Sequence, residues 1–371
     1  IYDYAASGCA EIRMPRVDTY TSGHAQMNFG AAVELVLYNG RMKKYGDIVL
    51  GEETGDPRNF KTWDEFWNAY VKQHMLFLRT AFTQQYIVNN LRAQHFAQPM
   101  GSAMHDLCMK HCIDLHQTHI PEGVDFGYFE YMGLGTVVDS LSAIKTLVFE
   151  QKRLSMKELL EALDCNFEGK EDIQALLQGA PSFGNGDLEV DTLGRMLEKS
   201  ALDFTARYAG KNGVQPLEIR TTSVTANVPH GKFVGATPNG RKAWMPLSDG
   251  SSPSHGSDRN GPTAVLLSQY QSTNWNAANR ACRLLNMKMA PKTVEGEEGT
   301  KKLVDLIRAF INLRVWHLQM NIINRETLVA AQKDPQKYKN LVVRIAGYSA
   351  YFVELGKPLQ KDLIQRTELH F

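Results

Sequence analysis

The stretch from Thr62 to Ala97 constrains the fold more than any other part of the chain. Trp63, Trp67, Tyr70, Phe77 and Ala81 recur at steps of three, four and seven, the spacing of a buried stripe on a long amphipathic helix. Thr62, followed by Glu65, forms a capping box that opens this helix. An apolar stripe of that kind has to be buried against a second layer. Further helical patterns occur in "GAAVELVLYNG" up to Gly40, Ala103 to Asp114, Val137 to about Lys152, Met156 to Leu163, Glu171 to Leu177, and Leu193 to Tyr208. Two runs read as strands, "LEIRTTSVTANV" from Leu217 to Val228 and "HLQMNII" from His317 to Ile323. Helices therefore dominate over a few buried strands. With 371 residues, 43% hydrophobic and 22% charged, the chain can build a large core or two or three domains.

Charge and cysteine content narrow the class of protein. The formal charge of +1, from 41 basic and 40 acidic side chains, gives no global field towards nucleic acid or an anionic membrane, so small molecules are the expected partners. No apolar run approaches the ~20 residues of a membrane span, so a soluble chain is expected. The segment Ile1 to Cys9 lacks the order of a signal peptide, and a chain opening on Ile1 suggests a further front portion. The five cysteines Cys9, Cys108, Cys112, Cys165 and Cys282 are an odd number and predict free thiols in a reducing compartment. Gly179 to Asp187, "GAPSFGNGD", reads as a linker. The long glycine-, proline- and serine-rich region from Gly235 to Ala264 is of a kind that usually carries function.

Several clusters offer chemistry. His105, Cys108, Cys112 and His116 would share one face of a continuous helix, but without paired CxxC knuckles they read as a structural face, and no metal is expected. "GLGTVV", from Gly133 to Val138, imitates a dinucleotide loop but lacks its third glycine, a preceding strand and an acidic partner. "SGCAE" sets the thiol of Cys9 and the carboxylate of Glu11 two residues apart, on the same side of an extended loop. A nucleophilic cysteine would need a base such as His24 and an oxyanion hole; a cysteine that transfers hydrogen atoms needs neither.

Gly347, alone among bulky residues in "VVRIAGYSAYF", favours the second alternative. A backbone radical at an ordinary α-carbon is hindered from flattening by its side chain. Glycine can become planar and share the unpaired electron with the amide nitrogen and the carbonyl on either side. Such a radical also needs shielding, and Ile345, Ala346, Tyr348, Tyr351 and Phe352 predict a buried loop.

"RIAGYSAYFVEL", followed by "LQKDLIQRTELHF", resembles the carboxyl-terminal signature of glycyl radical enzymes, and "GCAE" resembles their thiyl-cysteine loop. "TPNGRKAWMPLSDGSSPSHGSDRNGPTA" and "GLGTVVDSLSAIK" are similar to further stretches of that family, in the family's order. The resemblance implies an α/β fold, the C-terminal half of a ten-stranded barrel wrapped in helices. Residues 1–330 would carry the thiyl-cysteine loop and 331–371 the glycine radical domain. It also implies no permanently bound cofactor, a radical on Gly347 installed by a partner activating enzyme that uses S-adenosylmethionine and an iron–sulfur cluster, a homodimer, and a bacterial cytoplasmic location with microcompartment packaging left open.

The single cysteine followed by Ala-Glu resembles the eliminases of the family, in which the carboxylate, here Glu11, takes the proton of the substrate hydroxyl. "GCAEIRMPRVDTYTSG" and "QKDPQKYKNLVVRIAGYSAYF" are most similar to the sulfite-lyases that act on small hydroxyalkanesulfonates. Arg220 stands where the isethionate type keeps a sulfonate-binding arginine, a role suited to a guanidinium fork. Val224 stands in place of a phenylalanine, and His24 and Gln26 where smaller or less polar residues occur. These three positions favour 2,3-dihydroxypropane-1-sulfonate, split into hydroxyacetone and sulfite, over isethionate, split into acetaldehyde and sulfite. A glycyl radical diol dehydratase and an inactive half-barrel are the rival expectations.

Overall fold

The computed structural model describes residues 5–14, 18, 24–117, 120–123, 127–208, 217–222, 224–277 and 280–371. Within them the strands are β1 (Ala5–Ser7), β2 (Glu11–Arg13), β3 (His24–Asn28), β4 (Gly127–Met132), β5 (Leu217–Thr221), β6 (Arg280–Arg283), β7 (Asn286–Met289), β8 (Gln319–Ile322), β9 (Val342–Arg344), β10 (Ser349–Tyr351) and β11 (Glu368–Leu369). β3, β4, β5 and β6 form a parallel sheet in chain order, and β11, β7 and β8 form a second parallel sheet. β1 with β2, and β9 with β10, are antiparallel hairpins.

Parallel neighbours need long crossovers, and helices supply them. Phe29–Leu37 and Trp63–His95 lie between β3 and β4, Leu134–Ala143 and Leu188–Tyr208 between β4 and β5, and Gly261–Gln271 between β5 and β6. Only the fully buried Leu284 and Leu285 separate β6 from β7, so the chain passes directly from one sheet to the other. The α/β expectation is therefore met.

Alternation along the strands divides the first sheet into two faces. Ala25 and Met27 of β3, Phe129 and Tyr131 of β4 and Ile219 of β5 all join the main apolar core beneath the helices. Phe29 and Tyr131 meet there edge to face, with ring centroids 3.8 Å apart. The residues between them in sequence face the other way and build the site described below.

The helix expected from Thr62 runs over Trp63–His95, and its capping box is formed. Its buried face is centred on Phe66, Tyr70, His74 and Leu78, while Trp63, Trp67 and Phe77 pack at the margin. The large aromatics thus cover the edge of the contact rather than its middle.

Two expected elements are broken. The strand from Leu217 ends at Thr221, and Asn227–Gly231 is helical; Val224 sits between them with φ +50°, a sharp turn that a β-branched residue rarely adopts. The helix expected over Ala103 to Asp114 is split into Pro99–Ala103 and Asp106–His111, with His105 as the N-cap and Cys112 ending it at φ +53°. His105, Cys108, Cys112 and His116 consequently do not share a helical face. Among the described residues no group of histidine, cysteine and carboxylate side chains could hold a metal ion, and no helix is long and apolar enough to cross a membrane.

β4 ends at Met132, directly before "GLGTVV", so the strand that the sequence did not show is present, but the loop has a packing role. A side chain at Gly135 would come within 2.7 Å of the Ser252 carbonyl, so glycine allows the helix to touch the Gly235 to Ala264 region directly. The adjacent Thr136 N–H donates to Ser248 Oγ at 3.0 Å, and Ser248 N–H donates to Thr136 Oγ1 at 2.9 Å.

On the same helix, Asp139 Oδ1 accepts from the Phe183 N–H at 2.7 Å, tying the helix to the expected linker. Burial pushes the Asp139 carboxyl up to about 7. An unfolded aspartate titrates near 3.9, so the neutral folded form adds stability that is complete below about pH 4 and is lost as the pH rises through about 7. Asp139→Asn mimics the neutral form and should flatten the fall in thermal unfolding temperature between those pH values. Identical pH slopes for the two proteins would contradict this.

Candidate active site

The two hairpins place the proposed radical residues side by side. Gly8, Cys9 and Ala10 form the turn between β1 and β2, whose register pairs Ser7 with Glu11 and Ala5 with Arg13. In the other hairpin Arg344 pairs with Ser349, and the Ile345 N–H donates to the Tyr348 carbonyl at 2.8 Å, leaving Gly347 at the tip with φ +81°. A Cβ built on Gly347 would lie 2.6 Å from Cys9 Sγ and still closer to Cys9 Cβ. The α-carbon of Gly347 and the thiol of Cys9 are therefore in direct contact, and only glycine fits there.

Strand register gathers the polar side chains. Gln26 of β3 is level with Glu130 of β4, which is level with Arg220 of β5; one pleat along, Tyr128 is level with Glu218. Period-two alternation sets all of these on the face opposite the apolar core. His24 is level with Tyr128 through its backbone, but its side chain lies outside the described residues. Gln26 Nε2 donates to Glu130 Oε2 at 3.2 Å, and Thr222 Oγ1 donates to Glu130 Oε1 at 2.5 Å.

Arg220 is the centre of this face. Its side chain is 2% exposed, its Nη1 is 3.1 Å from Glu11 Oε1 and its Nη2 is 3.2 Å from Glu218 Oε2. The guanidinium carbon stands 3.6 Å from the centre of the Tyr128 ring, a cation–π contact. Arg220 Nε is buried without a hydrogen-bond partner among the described residues. A buried donor left unmatched is costly, so this atom is suited to an added anionic acceptor. Burial opposes the charge of Arg220, but Cys282, Glu218 and Glu11 outweigh it and hold its pKa above the usual value.

The thiols in this region are held protonated. Burial, then the negative charges of Glu11 and Glu130, push Cys9 above the ordinary thiol range, with Arg344 pulling weakly the other way. Cys282, 2% exposed on β6, is pushed up to about 12 chiefly by burial, despite Arg220 nearby. A protonated Cys9 has an S–H hydrogen to give and is a poor nucleophile at neutral pH, which matches hydrogen-atom transfer better than acyl chemistry.

Cys9, Glu11 and Arg220 lie together with Gly347, and Gln26 joins them through Glu130. Val224 is half-buried at its turn, four residues beyond Arg220. The glycine loop is less enclosed within this chain than anticipated: Ile345, Ala346 and Phe352 are buried, whereas Tyr348 and Tyr351 are 40% and 45% exposed. Glu130, Glu218, Tyr128 and Cys282 escaped the sequence argument. Period-two spacing from Arg220 would have found Glu218, but nothing in the sequence aligns β4 with β5.

Two family models match the chain: "Pyruvate formate lyase-like" over residues 1–231 and "Glycine radical" over residues 247–353. Isethionate sulfite-lyase of Desulfovibrio desulfuricans is 64% identical over 366 residues, covering 99% of this chain and 44% of that protein. Isethionate sulfite-lyase of Nitratidesulfovibrio vulgaris is also 64% identical, over 98% of this chain and 44% of its own length. The chain thus spans a little under half the length of these curated relatives. Among solved structures, the B12-independent glycerol dehydratase from Clostridium butyricum superposes with a TM-score of 0.90 at 34% identity, over 100% of this chain and 46% of that one.

Gly347→Ala tests the contact between the two hairpin tips. Backbone strain at φ +81° costs about 1–2 kcal/mol, and the methyl group must also push the Cys9 hairpin away. The expected result is a lower unfolding temperature together with faster labelling of Cys9 by a thiol reagent. Unchanged labelling would mean that the hairpin tips do not touch in solution.

Proposed function

This chain belongs to the glycyl radical enzyme family, and from that premise we propose that it is the part of a carbon–sulfur lyase that carries both radical residues and releases sulfite from a small hydroxyalkanesulfonate. The observation that carries the proposal is the contact between Gly347 and Cys9 Sγ, 2.6 Å from the position of a Cβ that glycine does not have. Residues 1–330 contribute the thiyl-cysteine loop and residues 331–371 the glycine loop. The radical on Gly347 is installed by a separate activating enzyme that uses S-adenosylmethionine and an iron–sulfur cluster.

The Gly347 α-carbon radical takes the hydrogen atom of the Cys9 thiol, and the resulting thiyl takes one from the hydroxyl-bearing carbon of the substrate. Glu11 accepts the hydroxyl proton, leaving a ketyl radical anion. The bond from the neighbouring carbon to sulfur then breaks, with its electron pair leaving on sulfite. The carbon radical that remains recovers a hydrogen atom from Cys9, and Cys9 recovers its own from Gly347. Glu11 returns its proton to the departing sulfite, which leaves as hydrogensulfite, so proton, hydrogen atoms and electrons balance and the spin returns to glycine.

Arg220 holds the sulfonate. Its fork is engaged by Glu11 and Glu218, and its Nε is buried with no acceptor among the described residues. A sulfonate that draws Nη1 away from Glu11 Oε1 frees that oxygen to accept the hydroxyl proton, so binding and proton acceptance are linked. The 64% identity to isethionate sulfite-lyases supports isethionate as the substrate, with acetaldehyde and sulfite as products, and reverses the order expected from three side chains. The three-carbon 2,3-dihydroxypropane-1-sulfonate remains the second reading because Gln26, fixed on Glu130, and the small Val224 suit an added hydroxymethyl arm.

The test is anaerobic turnover by the full-length protein after treatment with its activating enzyme. Isethionate should release sulfite and acetaldehyde, and Cys9→Ser should reduce release to background. Glu11→Gln should slow it by about 10²- to 10⁴-fold, the usual worth of a positioned base. Arg220→Lys should raise KM for the sulfonate. Faster sulfite release from the three-carbon compound would establish the second reading, and water loss from a diol without sulfite release would end the lyase proposal.

A further inference from the structure

The segment Trp316 to Asn321 touches both radical-bearing loops. Trp316 Nε1 donates to the Ala10 carbonyl on the cysteine hairpin at 2.8 Å. Gln319, on β8, accepts the Gly347 N–H with its Oε1 at 2.7 Å, and the same oxygen accepts Arg344 Nε at 3.1 Å. Asn321 binds Arg344 through both of its backbone groups, donating to the carbonyl at 2.6 Å and accepting from the N–H at 2.8 Å.

The orientation of the Gln319 amide is settled by a relay behind it. Asp249, paired with Arg366 at 3.3 Å, accepts from Asn286 Nδ2. An ionised carboxylate can only accept, so Nδ2 is the Asn286 atom at that end and Oδ1 the atom at the other. Asn286 Oδ1 takes Gln319 Nε2 at 2.6 Å, which leaves Gln319 Oε1 as the atom facing Gly347. Arg366 closes the ring by donating from Nη1 to the Ile345 carbonyl at 3.1 Å. Asp249, Asn286, Gln319 and Arg366 are each at most 7% exposed, so solvent does not compete for these bonds.

We propose that Gln319 is the positioning residue of the radical couple: its carboxamide oxygen, oriented by the Asn286–Asp249 relay, holds the Gly347 N–H so that the α-carbon faces Cys9 Sγ and the amide nitrogen can share the unpaired spin. This rests on the glycyl radical reading above. An acceptor on the N–H raises electron density on nitrogen, the donor side of the delocalised radical, and therefore alters its spin distribution as well as its position.

The experiment uses the full-length protein, its activating enzyme and isethionate, comparing wild type with Gln319→Met, which keeps the length but removes the acceptor, and Gln319→Glu, which keeps an acceptor. Electron paramagnetic resonance gives the glycyl spin count and hyperfine pattern, and turnover is expressed per spin. In Gln319→Met the hyperfine pattern should shift and turnover per spin should fall by up to about 10²-fold, the scale of a 1 Å misplacement of reacting groups. Gln319→Glu keeps the acceptor for the Gly347 N–H but loses the Nε2 donor to Asn286 Oδ1, so it should recover part of the hyperfine pattern and of the turnover per spin. A Met variant matching wild type in spectrum and turnover per spin overturns the proposal. If a variant does not fold, Asn286→Leu, which removes the relay and leaves Gln319 in place, should show the same spectral shift, and an unshifted spectrum there overturns it equally. A wild-type protein that shows no glycyl signal refutes the underlying radical reading instead, before any variant is compared.

Discussion

Everything in the site depends on one steric fact: the α-carbon of Gly347 and the sulfur of Cys9 occupy adjoining volumes, with no room for a side chain between them. Hydrogen-atom transfer falls off steeply with distance, so the proposed radical couple would need contact and a framework stiff enough to keep it. Two hairpins from opposite ends of the chain supply the contact. The framework is a set of side-chain clamps from β7, β8 and the glycine-rich region, and buried hydrogen bonds of this kind hold geometry better than surface ones.

The parallel sheet has a different task. Its apolar face anchors β3, β4 and β5 to the helical layer, and that anchoring fixes the register of the polar face. A slip of one residue would turn Arg220 and Glu130 into the core. Hydrophobic burial on one side of the sheet therefore holds charge in place on the other. The charges are also mutually dependent: truncating Arg220 would leave Glu11 and Glu218 facing each other in a poorly solvated site, a loss of the order of 3–5 kcal/mol for a buried pair.

Much of this was legible in the chain. The Thr62 capping box, the helices from Met156 and Glu171, and the strand within His317–Ile323 follow from local pattern, because caps and periodicity act over a few residues. The failures have local causes too. His105 and Cys112 look like members of one helical face, but an N-cap and a left-handed residue break the helix between them. The strand from Leu217 reads as long because Thr, Val and Thr favour β structure, yet the turn at Val224 overrides that preference.

By itself the sequence offered the candidates: a lone glycine among bulky residues and a cysteine two residues from a glutamate are local signals that need no partner to be noticed, while Arg220 is singled out only by the family resemblance. Only the tertiary structure decided that Gly347 meets Cys9, that Arg220 is shared between Glu11 and Glu218, and that Gln319 faces the Gly347 amide with its oxygen. Those relations join residues far apart in the chain, and they are set by sheet register and by the packing of hairpins on strands. Such long-range pairings leave no periodic trace in a single sequence, because the side chains that enforce them are chosen by the whole core rather than by their neighbours.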